Sequence, residues 1–246
     1  MKKSYSERHP YIAAILIALL CTFLTAFGSA VSQIMEIGEE QQILGITAFL
    51  VIAVVIGLII MKKSRFSLSQ YGFRKNDINS AGKVLWFIPL VVMEILPIVF
   101  LGFSSEIKAL QYLNLLFFVI AVGFNEEIYF RGLAFKFMQE KGTKNAITGT
   151  SILFGVLHLA NALSGKNVLY LILQVIFAFL VGFVLAEIAS ITKSLWAVII
   201  WHASHDYISM ITGDELNTKS LIILAIQVAV LLIYAFMLWK SSEDRG

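Results

Sequence analysis

The 246 residues are 59% hydrophobic and only 14% charged, with a mean hydropathy of +0.83. Soluble domains carry about a quarter charged residues, so a water-facing globule is excluded and an integral membrane protein is implied. The net charge of +3 comes from basic residues in short loops between apolar runs, a placement that gives no case for nucleic acid as a partner.

Crossing about 30 Å of hydrocarbon takes roughly 20 apolar residues in a helix. Eight runs meet or approach that length, at about 11–34, 42–61, 84–103, 110–138, 145–163, 168–189, 194–212 and 220–239. None alternates with a period of two, and lipid tolerates only helices or closed barrels. The predicted class is therefore all-α: a polytopic membrane helical bundle of about eight transmembrane helices.

The first run follows "MKKSYSERHP" and precedes "FGSA", the outline of a secretory signal. It is longer than the usual signal core of about 7–15 residues, so a retained first helix is expected. It holds Cys21, the single cysteine. One cysteine rules out an intrachain disulfide and a cysteine-based zinc site, and it reads as an apolar filler. The longest loop, 62–83, contains "SQYGFRK" and reads as a basic interfacial segment. No Pro/Gly-rich linker, low-complexity tract or internal repeat interrupts the chain, so 1–246 is expected to be a single membrane domain.

With the N-terminus inside, sixteen of the 19 Lys and Arg residues fall on the cytoplasmic side, Lys2, Lys3 and Arg245 among them. Only Lys108, Lys166 and Lys219 fall outside. Such a bias sets orientation, so both termini are expected in the cytoplasm, with the acidic "MEIGEEQQ" loop outside. Moving any one span would scramble this partition. Short loops and both ends inside suit a bacterial plasma membrane.

Titratable groups at membrane depth are costly and face a cavity or a partner. Here they cluster: Glu94 in the third run; Glu126, Glu127 and Arg131 of "FNEEIYFRG" in the fourth; His158 in the fifth; His202, His205 and Asp206 of "HASHD" in the seventh. Glu127 and Arg131 are four apart on one helix face, which suits an ion pair. Glu126 is turned about 100° from Glu127 and points elsewhere. At 1.5 Å per residue from the cytoplasmic ends, Glu126 lies roughly 18 Å deep, His158 roughly 21 Å, His202 roughly 12 Å and Asp206 roughly 18 Å. Three separate helices thus bring an acid and imidazoles to similar depth, as a buried site requires. Glu94, between Pro89 and Pro97, reads as a structural, hydrogen-bonded acid beside a kink. No His-Glu-x-x-His helix of the usual zinc proteases is present, and the serines of "TGTS" and "LSGK" lack the Gly-x-Ser-Gly setting of a serine intramembrane protease.

"EEIYFR", "FGVLH" and "HASHD" match Glu-Glu-x-x-x-Arg, Phe-x-x-x-His and His-x-x-x-Asn/Asp. In that order and in late membrane helices, they resemble the CAAX prenyl protease and bacteriocin-processing family, CPBP or Abi. The motifs occupy a core of about residues 110–210; the first three spans match only as generic membrane helices. The resemblance implies an intramembrane endopeptidase cutting a peptide or membrane-protein substrate near the bilayer. It implies Glu126 as the catalytic carboxylate and His158 as the group that helps activate water. His202 and Asp206 would bind the developing oxyanion or a metal, and Glu127 and Arg131 would shape the site. Bacterial-looking relatives are associated with peptide maturation and bacteriocin self-immunity, so a non-catalytic binding or immunity protein is the alternative.

Peptide hydrolysis needs a positioned water, a base and donors for the oxyanion. Glu126 with His158 can deprotonate water while His202 stabilises the tetrahedral intermediate. Asp206 departs from the Asn alternative of the motif: an ionised Asp repels an oxyanion, so it is protonated, orients His202 or is a metal ligand. Two histidines with carboxylates and an open position suit zinc or another divalent metal, held by Glu126, His158, His202 and Asp206. Metal-dependent and metal-free versions both stand. His205 lies outside the motif. A proton-coupled transporter would also use intramembrane acids and histidines, but broken helices and repeat symmetry are not evident.

Overall fold

The computed structural model describes residues 5–35, 38–76, 78–165, 167–213 and 217–241. Lys2, Lys3, Lys166 and Arg245 of the charge partition lie outside the described residues, as does the Glu36–Ile37 part of the acidic loop. Among the described residues the chain is helical and carries no strand. The main helices are α1 (Pro10–Ile34), α2 (Glu39–Lys63), α3 (Ile88–Leu101), α4 (Ala109–Glu127), α5 (Thr143–Leu157), α6 (Val168–Thr192), α7 (Trp196–Thr212) and α8 (Thr218–Ser241).

Each apolar run of the sequence holds one of these helices. Five helical stretches are long and apolar enough to cross a membrane: Pro10–Ile34, Glu40–Lys63, Ala109–Lys141, Val168–Thr192 and Thr218–Lys240. The helices of the other three runs are shorter, with 14 residues in α3, 15 in α5 and 17 in α7. Large apolar side chains stand on the outer faces, Phe23, Val99, Ile200, Ile233 and Phe236 among them. That is the surface of an integral membrane protein, where lipid replaces water.

Three of the runs differ in detail from a plain span. The third starts late: Leu85, Trp86 and Phe87 have positive φ, and the helix begins at Ile88 with Pro89 in its first turn, where a missing N–H costs nothing. The fifth, expected to reach residue 163, is α-helical only to Leu157 and continues as a 3-10 segment, His158–Ser164. His158 therefore stands at the junction where the α-helix gives way to the 3-10 segment. The fourth turns from α4 into a π-helical segment, Ile128–Ala134, before one more α-turn, Phe135–Met138. A π segment is wound wider than an α-helix and marks many functional sites, so the α-helical ruler overstates the depth of Glu126.

This π segment is the centre of the bundle. All seven of its residues are buried, and it packs against α1, α2, α5 and α6. Small residues allow the close crossings around it, as they do in membrane proteins generally. A Cβ on Gly123 would stand 3.1 Å from the Ile199 carbonyl, so α4 and α7 approach at backbone distance. A Cβ on Gly155 would stand 2.9 Å from Phe179 Cβ, which sets α5 against α6. These two crossings carry the acids of α4 and the histidines of α5 and α7 to one place.

Candidate active site

Glu127 is fully buried, yet it is not alone. Its Oε1 accepts from Arg131 Nη1 at 2.8 Å and from His202 Nδ1 at 2.7 Å. The expected Glu127–Arg131 pair is therefore present, and its carboxylate also reaches α7. Charge-assisted bonds of this kind are short and directional. They fix which ring nitrogen of His202 faces the protein and which faces the site.

The nitrogen left over, His202 Nε2, lies 3.6 Å from Glu126 Oε2 and 3.6 Å from Asp206 Oδ2. Both spacings exceed a direct hydrogen bond and suit a third group between them. Glu126 points away from Glu127, as the helical offset requires. Its side chain is 18% exposed against 0% for Glu127. Glu126, not Glu127, is thus the accessible acid of the pair.

His158 Nδ1 donates to the carbonyl of Phe154 at 2.7 Å, which leaves Nε2 as its free face. Phe154 organises the group: its ring lies 4.7 Å from the ring of His158, 5.9 Å from that of His202, and beneath the Arg131 guanidinium at 4.2 Å. The guanidinium in turn needs Gly182, whose Cβ would stand 3.3 Å from Nη2.

Two cavities meet at this cluster. One of about 180 Å³, between α1, α4 and α5, is lined by Glu126, Phe154 and His158. Another of about 270 Å³, between α3, α6, α7 and α8, is lined by Phe154, His158, His202 and Asp206. His158 and Phe154 border both. Each of the four residues expected to do chemistry therefore borders one or both of these cavities, while Glu127 lines neither.

The expected metal set fits less well. Among the described residues no three His, Cys, Asp or Glu side chains are grouped to hold a metal ion.

Several residues matter here that their sequence setting did not mark. Glu94 is hydrogen-bonded, as expected of an acid beside a kink, and the partner that its setting did not reveal is His205: Oε1 lies 3.0 Å from His205 Nδ1. The His205 ring is stacked between Trp201 and Phe177, 5.0 and 5.4 Å away, and Glu94, Phe177 and His205 form part of the larger cavity wall. Asn125, fully buried, donates to Cys21 Sγ at 3.4 Å and to Thr25 Oγ1 at 3.2 Å. Cys21 is thus a polar contact between α1 and α4 as well as a filler. Glu187 is a further acid at depth, fully buried with both carboxylate oxygens lacking a partner among the described residues. An acid within "VLAEIAS" was the available signal.

Residues 108–208 match the family model of type II CAAX prenyl endopeptidase, Rce1-like. That segment is therefore similar to this family. It includes all six expected site residues and His205, and it excludes Glu94. No curated protein matches the chain.

Proposed function

We propose that the chain is an intramembrane endopeptidase, one membrane domain of eight crossings with both termini cytoplasmic, in a bacterial plasma membrane. The observation that supports this most is the division of labour in "NEE": Glu127 is pinned by Arg131 and His202, while Glu126 lines the smaller cavity with His158 and stands 3.6 Å from His202 Nε2.

In this reading a peptide enters the larger cavity with its scissile carbonyl near His202 Nε2. Glu126, assisted by His158 Nε2, takes a proton from water, and the hydroxide attacks the carbonyl carbon. His202, held in register through Nδ1, stabilises the oxyanion; Asp206, with Oδ2 3.6 Å from His202 Nε2, stands beside it. The proton on Glu126 then passes to the leaving amide nitrogen as the C–N bond breaks, so charge and atoms balance. Oxyanion donors of this kind are worth about 10²–10³ in rate. The buried Glu127–Arg131 pair makes no contact with substrate and serves to aim His202.

The reaction runs without a resident metal. Elemental analysis of active, detergent-solubilised protein checks this: well under one zinc per chain is expected, and stoichiometric zinc lost together with activity on chelation would overturn it. Comparative peptidomics of cells carrying the wild-type chain or Glu126→Gln tests the protease reading itself. A peptide or membrane-protein fragment present only with the wild type is expected. Identical peptidomes, with both proteins made at equal level and equal protection of the host from a bacteriocin, would favour the non-catalytic immunity role.

A further inference from the structure

A third cavity, of about 310 Å³, lies at the other side of Arg131. It forms where the 62–83 loop, the end of α4 and the α6–α7 turn come together, away from the two cavities of the protease site. Its lining carries four cations, Arg74, Arg131, Lys136 and Lys193, and no carboxylate.

The chain builds this space deliberately. Ser194 Oγ donates to the Arg74 carbonyl at 2.8 Å, and Leu195 N–H donates to the Gly72 carbonyl at 2.9 Å. These bonds clamp the basic loop onto the α6–α7 turn. Lys193 occupies the left-handed position that ends α6. Lys136 lies over the Phe66 ring at 4.8 Å. Arg131 is buried, Lys136 and Lys193 are half-buried and Arg74 is exposed, so positive charge runs from the wall to the mouth. Arg131 commits Nη1 to Glu127, while its buried Nη2 has no hydrogen-bond partner among the described residues.

Arg131 is paired with Glu127, but Arg74, Lys136 and Lys193 still set like charges around one concavity, and a bound anion offsets their repulsion. Guanidinium and ammonium groups are the side chains that hold phosphate oxygens. The three elements forming the cavity all belong to the side where sequence places the basic excess, the side that meets anionic headgroups. We propose that this cavity binds a phosphate group of net negative charge, carried by an anionic lipid headgroup or free in solution. Because Arg131 borders this cavity and also holds Glu127, occupancy is coupled to the Glu127–His202 line.

Binding to the full chain in neutral detergent, read by native mass spectrometry, tests the site independently of proteolysis. The probes are dioleoylphosphatidylglycerol, dioleoylphosphatidylcholine and inorganic phosphate. The variants are Arg74→Gln/Lys136→Gln/Lys193→Gln in the cavity and Lys62→Gln/Lys63→Gln/Lys75→Gln on the same end outside it. Phosphatidylglycerol should bind the wild type, and the cavity variant should bind it roughly a hundredfold more weakly, each charge near the surface being worth about fivefold. The outside variant should retain affinity within about fivefold of wild type. Competition by inorganic phosphate would assign the free anion as a second source; its failure to compete would assign the headgroup alone. Equal losses in both variants, equal binding of phosphatidylcholine, or no binding by any probe would each overturn the proposal. Unchanged melting temperature in the cavity variant separates lost binding from lost fold.

Discussion

Two glutamate–histidine contacts sit one turn apart on α7, and the difference between them shows what turns such a contact into a site. Glu127 meets His202 at 2.7 Å and Glu94 meets His205 at 3.0 Å, in each case through Nδ1. Glu127 also holds Arg131, and the free nitrogen of His202 faces two further carboxylates, Glu126 and Asp206. The His205 ring instead has aromatic side chains on both faces, Trp201 and Phe177. One imidazole is aimed at open space by an ion pair behind it. The other is clamped as part of a wall. A glutamate–histidine contact alone therefore says little; the second acid and the free nitrogen are what permit chemistry.

The largest effect should follow from removing the accessible acid. Glu126→Gln keeps shape and removes the base, and cleavage of a matched substrate should fall by about 10³-fold. Product formation by mass spectrometry measures this, and a rate within tenfold of wild type would transfer the role elsewhere. Breaking the support behind His202 comes next. Arg131→Met leaves Glu127 charged without its cation and should cost about 3–5 kcal/mol of stability, read by thermal or denaturant unfolding in detergent. The double variant Glu127→Leu/Arg131→Met should recover most of that stability, because no uncompensated charge remains. It should stay inactive, since His202 has lost the partner that aims it.

Asp206 gives a finer division. If it donates a proton toward the oxyanion, Asp206→Asn retains a donor and costs less than about tenfold, whereas Asp206→Ala costs about a hundredfold. Equal losses in the two variants would mean that the carboxylate itself is needed, as a proton carrier or a metal ligand.

Much of this arrangement was readable in the chain because lipid makes charges expensive. Glu126, Glu127, Arg131, His158, His202 and Asp206 stand out against apolar runs, and i to i+4 spacing pairs Glu127 with Arg131 without any coordinates. The third partner of Glu127 was not readable: which nitrogen of His202 it takes depends on the crossing of α4 and α7 at Gly123, a long-range contact. The π segment also escaped notice, because "IYFRGLA" has the same apolar character whether wound as α or π. The end of α5 at Leu157 escaped for a related reason, since no Gly or Pro marks it and "HLANALS" reads as continued helix. Glu94 and His205 lie 111 residues apart in sequence; only the packing of α3 on α7 brings them together.

The smallest effect should come from that second pair, and it is the measurement that keeps the comparison honest. Glu94→Gln preserves the hydrogen bond to His205 and removes only a charge. His205→Phe preserves the stack between Trp201 and Phe177 and removes only the bond. Glu94→Gln, which keeps the bond, should cost under about 1 kcal/mol, and His205→Phe, which strands the buried Glu94 carboxylate, about 1–3 kcal/mol; each should lower the cleavage rate by less than tenfold. Because both residues line the cavity proposed to admit substrate, the change should appear in KM with kcat held. A kcat loss as large as that of Glu126→Gln would instead place Glu94 and His205 among the reacting groups, and the wall of the larger cavity would become a second seat of chemistry.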